Sequence, residues 1–119
     1  MRAKLYNYEQ QVLYKLFEYC FADIFDSYDE FLSYYPWRER SIDQTGEYLI
    51  LKHIQNNNEE DVNLCDYTVS IESDDLKNGA EFIAWIGKNS ILIEGYSFED
   101  RWLRADSKVI IKGVERGQQ

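Results

Sequence analysis

A change in the spacing of apolar residues limits the folds open to this chain more than any other feature. From Leu5 to Tyr35, apolar side chains recur every three or four residues, which is the period of one buried helix face. In 64–71 they instead alternate with polar residues, as expected for a strand with one buried face. The chain is therefore predicted to form helices first and a sheet afterwards.

The helical region is predicted to contain two helices rather than one. A single helix over this region would be about 46 Å long, which is long for a small domain. Ser27 and Glu30 have the S-x-x-E spacing of a capping box, in which Ser27 caps the amide of Glu30 and the Glu30 carboxylate reaches back. We expect helices near 5–25 and 28–35, the second ended by Pro36.

The strands are predicted from β-rich runs bounded by turn residues. The Gly-Lys-Asn-Ser turn at 87–90 separates two such runs and indicates a β-hairpin. The apolar run 48–54 fits a strand or a helix capped from 41–44, and the strand is favoured because an Asn-rich acidic loop follows it. Turns are expected at 73–75 and at 78–79. The other predicted strands are 64–71, 81–86, 91–96 and 108–114.

Together these elements predict one α+β domain over 1–119. Its N-terminal helices (5–36) are expected to pack on one face of a four- to five-stranded antiparallel sheet (47–115). This arrangement would leave the other face of the sheet partly open.

The charge balance limits the possible partners. The chain has 22 acidic and 13 basic residues among 119, a formal net charge of -9. Direct binding of nucleic acid or of an anionic membrane is disfavoured, because both need clustered Lys and Arg. No signal peptide or membrane span is expected, and Cys20 and Cys65 are interpreted as reduced thiols of a cytoplasmic protein. The expected partner is basic.

No catalytic constellation is predicted. His53 is the sole histidine and lies in an apolar run, and no phosphate-binding, dinucleotide-binding or nucleophile-elbow motif occurs. No metal or cofactor is expected either. Glu81, Glu94 and Asp66 lie in predicted strands, where a buried pair could act as acid and base. The simpler interpretation places these carboxylates on the solvent side of the sheet, and the protein is not expected to be an enzyme.

Two acidic clusters lie in loops at the ends of adjacent predicted strands and could form one negative patch. The first is Glu72, Asp74 and Asp75, and the second is Glu94, Glu99 and Asp100. The second is interleaved with aromatic residues, and such rings can anchor a basic partner while carboxylates steer it. The acids of 23–30 and 59–61 are interpreted as solvated surface. The predicted partner-binding residues are Glu72, Asp74, Asp75, Glu94, Tyr96, Glu99, Asp100 and Trp102.

One segment carries a resemblance. It comprises Asn78-Gly79-Ala80-Glu81-Phe82 and, after a hairpin, Ile93-Glu94-Gly95-Tyr96-Ser97-Phe98-Glu99-Asp100-Arg101-Trp102. In these residues the chain resembles small immunity proteins of bacterial polymorphic-toxin systems, including contact-dependent growth inhibition. Leu103 stands where that family often has proline. The resemblance implies a cytoplasmic, non-enzymatic protein that binds and neutralises one cognate toxin, commonly a nuclease with a basic cleft.

Two other functions stay open at this point. A curved sheet with helices could enclose a small ligand, as in cone-shaped folds that include enzymes, with Tyr67, Phe82, Trp85 and Tyr96 lining the pocket. A cavity of several hundred Å³ with convergent polar groups would favour this alternative, whereas a filled core would favour a binding protein. An acidic mimic of DNA is the third hypothesis, based on the acids of 23–30.

Overall fold

The protein has an α+β fold in which two helices pack against one antiparallel sheet, as predicted. The computed structural model describes residues 4–53 and 63–117. Helix α1 (Asn7–Leu16) continues into a π-helical turn (Phe17–Phe21), and α2 (Tyr28–Tyr34) follows after a short connection. The predicted acidic cluster at 59–61 lies outside the described residues.

Within the described residues, the sheet has six strands rather than four or five. Their order is β1-β2-β5-β4-β3-β6, and every neighbouring pair is antiparallel. The strands are β1 (Trp37–Ile42), β2 (Gly46–Lys52), β3 (Asn63–Ser73), β4 (Leu76–Gly87), β5 (Ser90–Ser97) and β6 (Ile110–Arg116). The described part of the ambiguous run 48–54 is therefore mainly strand β2, as favoured from the sequence.

The helix boundaries confirm the predicted break but not every detail around it. Ser27 Oγ accepts a hydrogen bond from the Glu30 N–H at 3.1 Å, as expected for the cap of α2. The Glu30 carboxylate, however, accepts from the N–H of Asp26, one residue before the cap, at 3.3 Å. Ile24 is one of the apolar residues at helical spacing in 5–35, but it is 67% exposed rather than buried. The helix ends at Phe21 and Ile24 lies in the following turn, so the helical period no longer sets the side on which it lies.

The predicted turn at 78–79 is wrong. Asn78 and Gly79 lie inside β4, and the tight turn is formed only by 73–76. The register shifts between Ile71 and Ser73, and Gly79 takes up this irregularity with a φ of 73°. A side chain there would also place its Cβ 2.7 Å from the carbonyl oxygen of Ile71. Glycine at this position thus permits the backbone conformation of a β-bulge and does not form a turn.

The core lies between the helices and one face of the sheet. Tyr8, Leu13 and Phe31 from the helices are fully buried, and so are Leu51 and Ala84 from the strands. Apolar residues of β2, β4 and β5 alternate between this buried side and the opposite side, as their burial patterns show. Both helices therefore lie on one side of the sheet, which leaves the other side as the candidate surface for function.

Candidate functional site

The side of the sheet opposite the helices carries a cross-strand row of apolar residues between two acids. We call this side the outer face. Directly paired residues of antiparallel strands point to the same side of a sheet, and the pairing joins Glu39, Ile50, Leu92, Trp85 and Asp66 across five strands. Ile50, Leu92 and Trp85 are each half-buried, and both described helices pack on the other side of the sheet. The outer face also includes Ser41, Tyr48, Lys52, Thr68, Ser70, Glu81, Ile83, Glu94, Tyr96 and Glu115.

Two hydrogen-bonded tyrosine–glutamate pairs lie beside this row. The Tyr48 hydroxyl donates to Glu94 Oε1 at 3.1 Å, and the Tyr96 hydroxyl donates to Glu81 Oε2 at 2.5 Å. The hydrogen bond to Glu81 raises the pKa of Tyr96 to about 12, and the bond to Glu94 likewise raises the pKa of Tyr48. Both hydroxyls therefore stay protonated and act as donors at neutral pH. Glu94 and Tyr96, which were predicted to bind a partner, thus lie on the outer face.

The predicted loop acids are mostly engaged within the chain. Asp75 accepts a hydrogen bond from Ser107 Oγ at 2.6 Å and forms an ion pair with Arg104 at 3.2 Å. These contacts stabilise the loop before β6. Glu99 accepts from the backbone N–H of Asn78 at 2.9 Å and lies 3.7 Å from Arg101. Asp100 accepts from Gln44 at 2.7 Å. These contacts position loops and partly neutralise the predicted patch.

The first predicted acidic cluster borders an open groove of about 770 Å³ between the 73–76 turn, Phe98 and the start of β6. Glu72 and Asp74 line it, but so do Lys77, Lys108 and Lys112. Lys112 lies 3.8 Å from Glu72. At this end of the sheet, lysines of β4 and β6 are therefore interleaved with the acids and reduce the negative charge of the groove.

Trp102 does not belong to the surface, which corrects its predicted role. Its side chain is only 8% exposed and its indole N–H donates to Glu47 Oε1 at 3.2 Å. The ring packs over Gly95 and meets Phe82 edge-on, with the ring centroids 5.6 Å apart. The Gly95 and Trp102 of the resembling segment thus form a packing unit of the core.

Gly95→Ala is expected to destabilise the protein by about 1–3 kcal/mol. The added Cβ would lie 2.7 Å from both the Phe82 and the Trp102 rings, so the core would have to move. Gly113→Ala is the matched control, since its Cβ would meet nothing within 4 Å. Urea unfolding should separate the two variants, and equal stabilities would refute the packing role of Gly95.

The described residues contain no group of three or more His, Cys, Asp and Glu that could hold a metal ion. Over the same ranges, no helix is long and apolar enough to cross a membrane. No family model, curated protein or solved structure matches the chain. Function is therefore inferred from the residues of the chain itself.

A polar cluster is buried between α1 and the sheet, and no local sequence pattern predicts it. Glu9 is 2% exposed and Glu47 is 3% exposed. Arg40 donates to both oxygens of Glu9, at 2.7 and 2.5 Å, and its Nε lies 3.9 Å from Glu47 Oε2. Tyr8 donates its hydroxyl to Glu47 Oε1. The cluster links α1, β1, β2 and the Trp102 loop.

Glu47 is the unusual member of this cluster. Its Oε2 has no hydrogen-bond partner among the described residues. Burial, together with the neighbouring Glu9 carboxylate, raises the pKa of Glu47 to about 8. Among the described residues, Glu9 and Glu47, rather than Glu81, Glu94 or Asp66, form the buried carboxylate pair. The gap beside it, bordered by Val12 among others, is too small to admit a water molecule, so the cluster offers no room for a substrate.

The aromatic residues assigned to a ligand pocket are divided between the two sides of the sheet. Phe82 is buried among the helices, whereas Trp85 and Tyr96 lie on the outer face, so they do not line one cavity. His53 stacks on Tyr34 with ring centroids 3.9 Å apart, and its Nδ1 lies 2.7 Å from the Tyr34 carbonyl oxygen. These contacts give the histidine a packing role.

Proposed function

We propose that this protein is an immunity protein that binds a basic toxin domain, of the nuclease class, and occludes it in the cytoplasm. The observation that carries the proposal is the outer face. It presents the apolar row of Ile50, Leu92 and Trp85 between Glu39 and Asp66, uncovered by either helix. An apolar centre with a charged rim is the usual anatomy of a specific protein interface.

The charge of the chain supports a basic partner. The net charge of -9 gives the molecule a negative field that attracts positively charged surfaces before contact. Nuclease clefts are basic because they hold phosphates, and an acidic protein competes for the same charges. The resemblance of the segment ending at Trp102 to immunity proteins supports the same class of partner.

The direct test is co-purification with the protein encoded immediately upstream, which the proposal takes to be the toxin, followed by affinity measurements at several salt concentrations. We expect a stable complex whose association rate falls at least about tenfold between low salt and 0.5 M NaCl, because salt screens the attraction. Inhibition of the toxin's activity should follow the same titration. Absence of binding at low ionic strength would refute the proposed function.

A further inference from the structure

Some acidic side chains form an ion pair with a Lys or Arg of the same chain, and others do not. Glu9 pairs with Arg40, Glu72 with Lys112, Asp75 with Arg104 and Glu99 with Arg101. Glu81 and Glu94 have no Lys or Arg within 4.0 Å in the part of the chain that the structure describes. Each uses one carboxylate oxygen to accept from a tyrosine, while neither second oxygen has a hydrogen bond there.

The two pairs are neighbours on the outer face. Glu81 lies opposite Tyr96 and Glu94 lies opposite Ile83, so the two glutamates are diagonal partners across β4 and β5. Such residues are about 7 Å apart. Tyr48 adjoins Glu94 from β2, which places a ring beside each carboxylate. The apolar row containing Leu92 and Trp85 runs immediately alongside.

The chain contains one arginine bound between a tyrosine ring and a glutamate, although there the backbone N–H of Tyr6, not its hydroxyl, donates to Glu9. Arg40 forms a bidentate bond with Glu9, and its guanidinium carbon lies 3.6 Å from the centroid of the Tyr6 ring. A guanidinium suits such a place because its planar fork matches a carboxylate and its face stacks on an aromatic ring. A lysine ammonium is a point charge and cannot make both contacts in this way.

We propose that the Tyr48–Glu94 and Tyr96–Glu81 pairs receive arginine side chains of the basic partner, while an apolar side chain next to those arginines packs on Leu92 and Trp85. This inference rests on the proposed function and specifies the chemistry of its interface. The partner surface is one with two arginines flanking an exposed apolar residue. Charge complementarity and the internal Tyr6–Glu9–Arg40 example support this occupant of the outer face.

The test compares two double variants with equal charge changes against the upstream-encoded toxin domain. Glu81→Gln with Glu94→Gln keeps an acceptor for each tyrosine but removes both charges. Glu99→Gln with Asp100→Asn removes two charges from acids that have contacts within the chain. We expect the first to weaken the Kd by about 100-fold, mainly through the off-rate, and the second by less than about fivefold, mainly through the on-rate.

The outcomes separate the inference from the proposed function. If the wild type binds the toxin and both double variants bind equally well, the arginine sites are refuted while the proposed function stands. If the wild type does not bind, the proposed function fails and this inference with it. Thermal unfolding of both variants, followed by circular dichroism, establishes that neither loss reflects misfolding.

A toxin-free experiment tests the preference for arginine directly. N-acetyl-arginine amide and N-acetyl-lysine amide are titrated separately into the protein while the ring resonances of Tyr48 and Tyr96 are followed by NMR. We expect larger shifts with arginine than with lysine, and their loss in the Glu81→Gln, Glu94→Gln variant. Equal responses to the two amides would overturn the assignment to arginine.

Discussion

Arg40→Met is expected to destabilise the protein by about 3–5 kcal/mol, because it leaves a buried carboxylate without its cation. Arg40 supplies two hydrogen bonds to Glu9, which is 2% exposed, and one to the backbone carbonyl of Lys4 at 2.6 Å. Its hydrogen bonds to Glu9 raise the already high pKa of the guanidinium, so it is charged at every accessible pH. Methionine fills the space but provides no charge.

The measurement is the free energy of unfolding from urea titrations of the wild type and the variant. Arg104→Met is the control, since the Arg104 side chain is 71% exposed and its pair with Asp75 is correspondingly screened. We expect the control to lose no more than about 1 kcal/mol. If Arg40→Met is as stable as Arg104→Met, the buried cluster does not hold α1 against the sheet.

Glu47→Gln is expected to remove a pH dependence of stability that amounts to a few kcal/mol. The pKa of Glu47 is raised from 4.5 to about 8 in the folded protein, first by burial and then by Glu9. The folded state therefore holds this proton more tightly than the unfolded state does. The stabilisation that this proton gives the folded state is fully present below about pH 4.5 and is lost as pH rises towards 8. It changes little above pH 8.

The experiment is a series of unfolding titrations of wild type and Glu47→Gln between pH 4 and 9.5. Glutamine keeps an acceptor for Tyr8 and for Trp102 but cannot ionise. Relative to that of Glu47→Gln, the free energy of unfolding of the wild type should fall by up to about 1.4 kcal/mol per pH unit between about pH 5 and 8. A difference that stays constant over this range would show that Glu47 titrates normally.

The fold class could be predicted because apolar residues have helical spacing in 5–35 and strand-like alternation in 64–71, two separate parts of the chain. Strand β1 was missed because Trp37–Ile42 has charged residues on both sides, so it shows no apolar alternation. Arg40 lies on the core side only because Glu9 and Glu47 meet it there. Such a contact joins residues distant in the chain, and no local pattern in the sequence indicates it.

The candidate site was predictable in part. Glu94 and Tyr96 were predicted to bind a partner as part of an acidic cluster in a loop, but they lie within β5, where both face the outer side of the sheet. Trp102 was assigned to the surface because it follows acidic residues in a loop, but the space above Gly95 admits its ring into the core. The apolar row depends on strand order, and Ile50 and Trp85 become neighbours of Leu92 only once β2, β5 and β4 pair.

The outer face is the surface proposed to contact the toxin. The most direct measurement is the Kd of the upstream-encoded toxin for Trp85→Ala, which changes the apolar row, and for Tyr19→Ala, which changes a side chain 59% exposed on the helical side. We predict that Trp85→Ala weakens binding by about 30-fold or more and that Tyr19→Ala changes it by less than about twofold. Loss of affinity in Tyr19→Ala, with unchanged binding in Trp85→Ala, would contradict the claim.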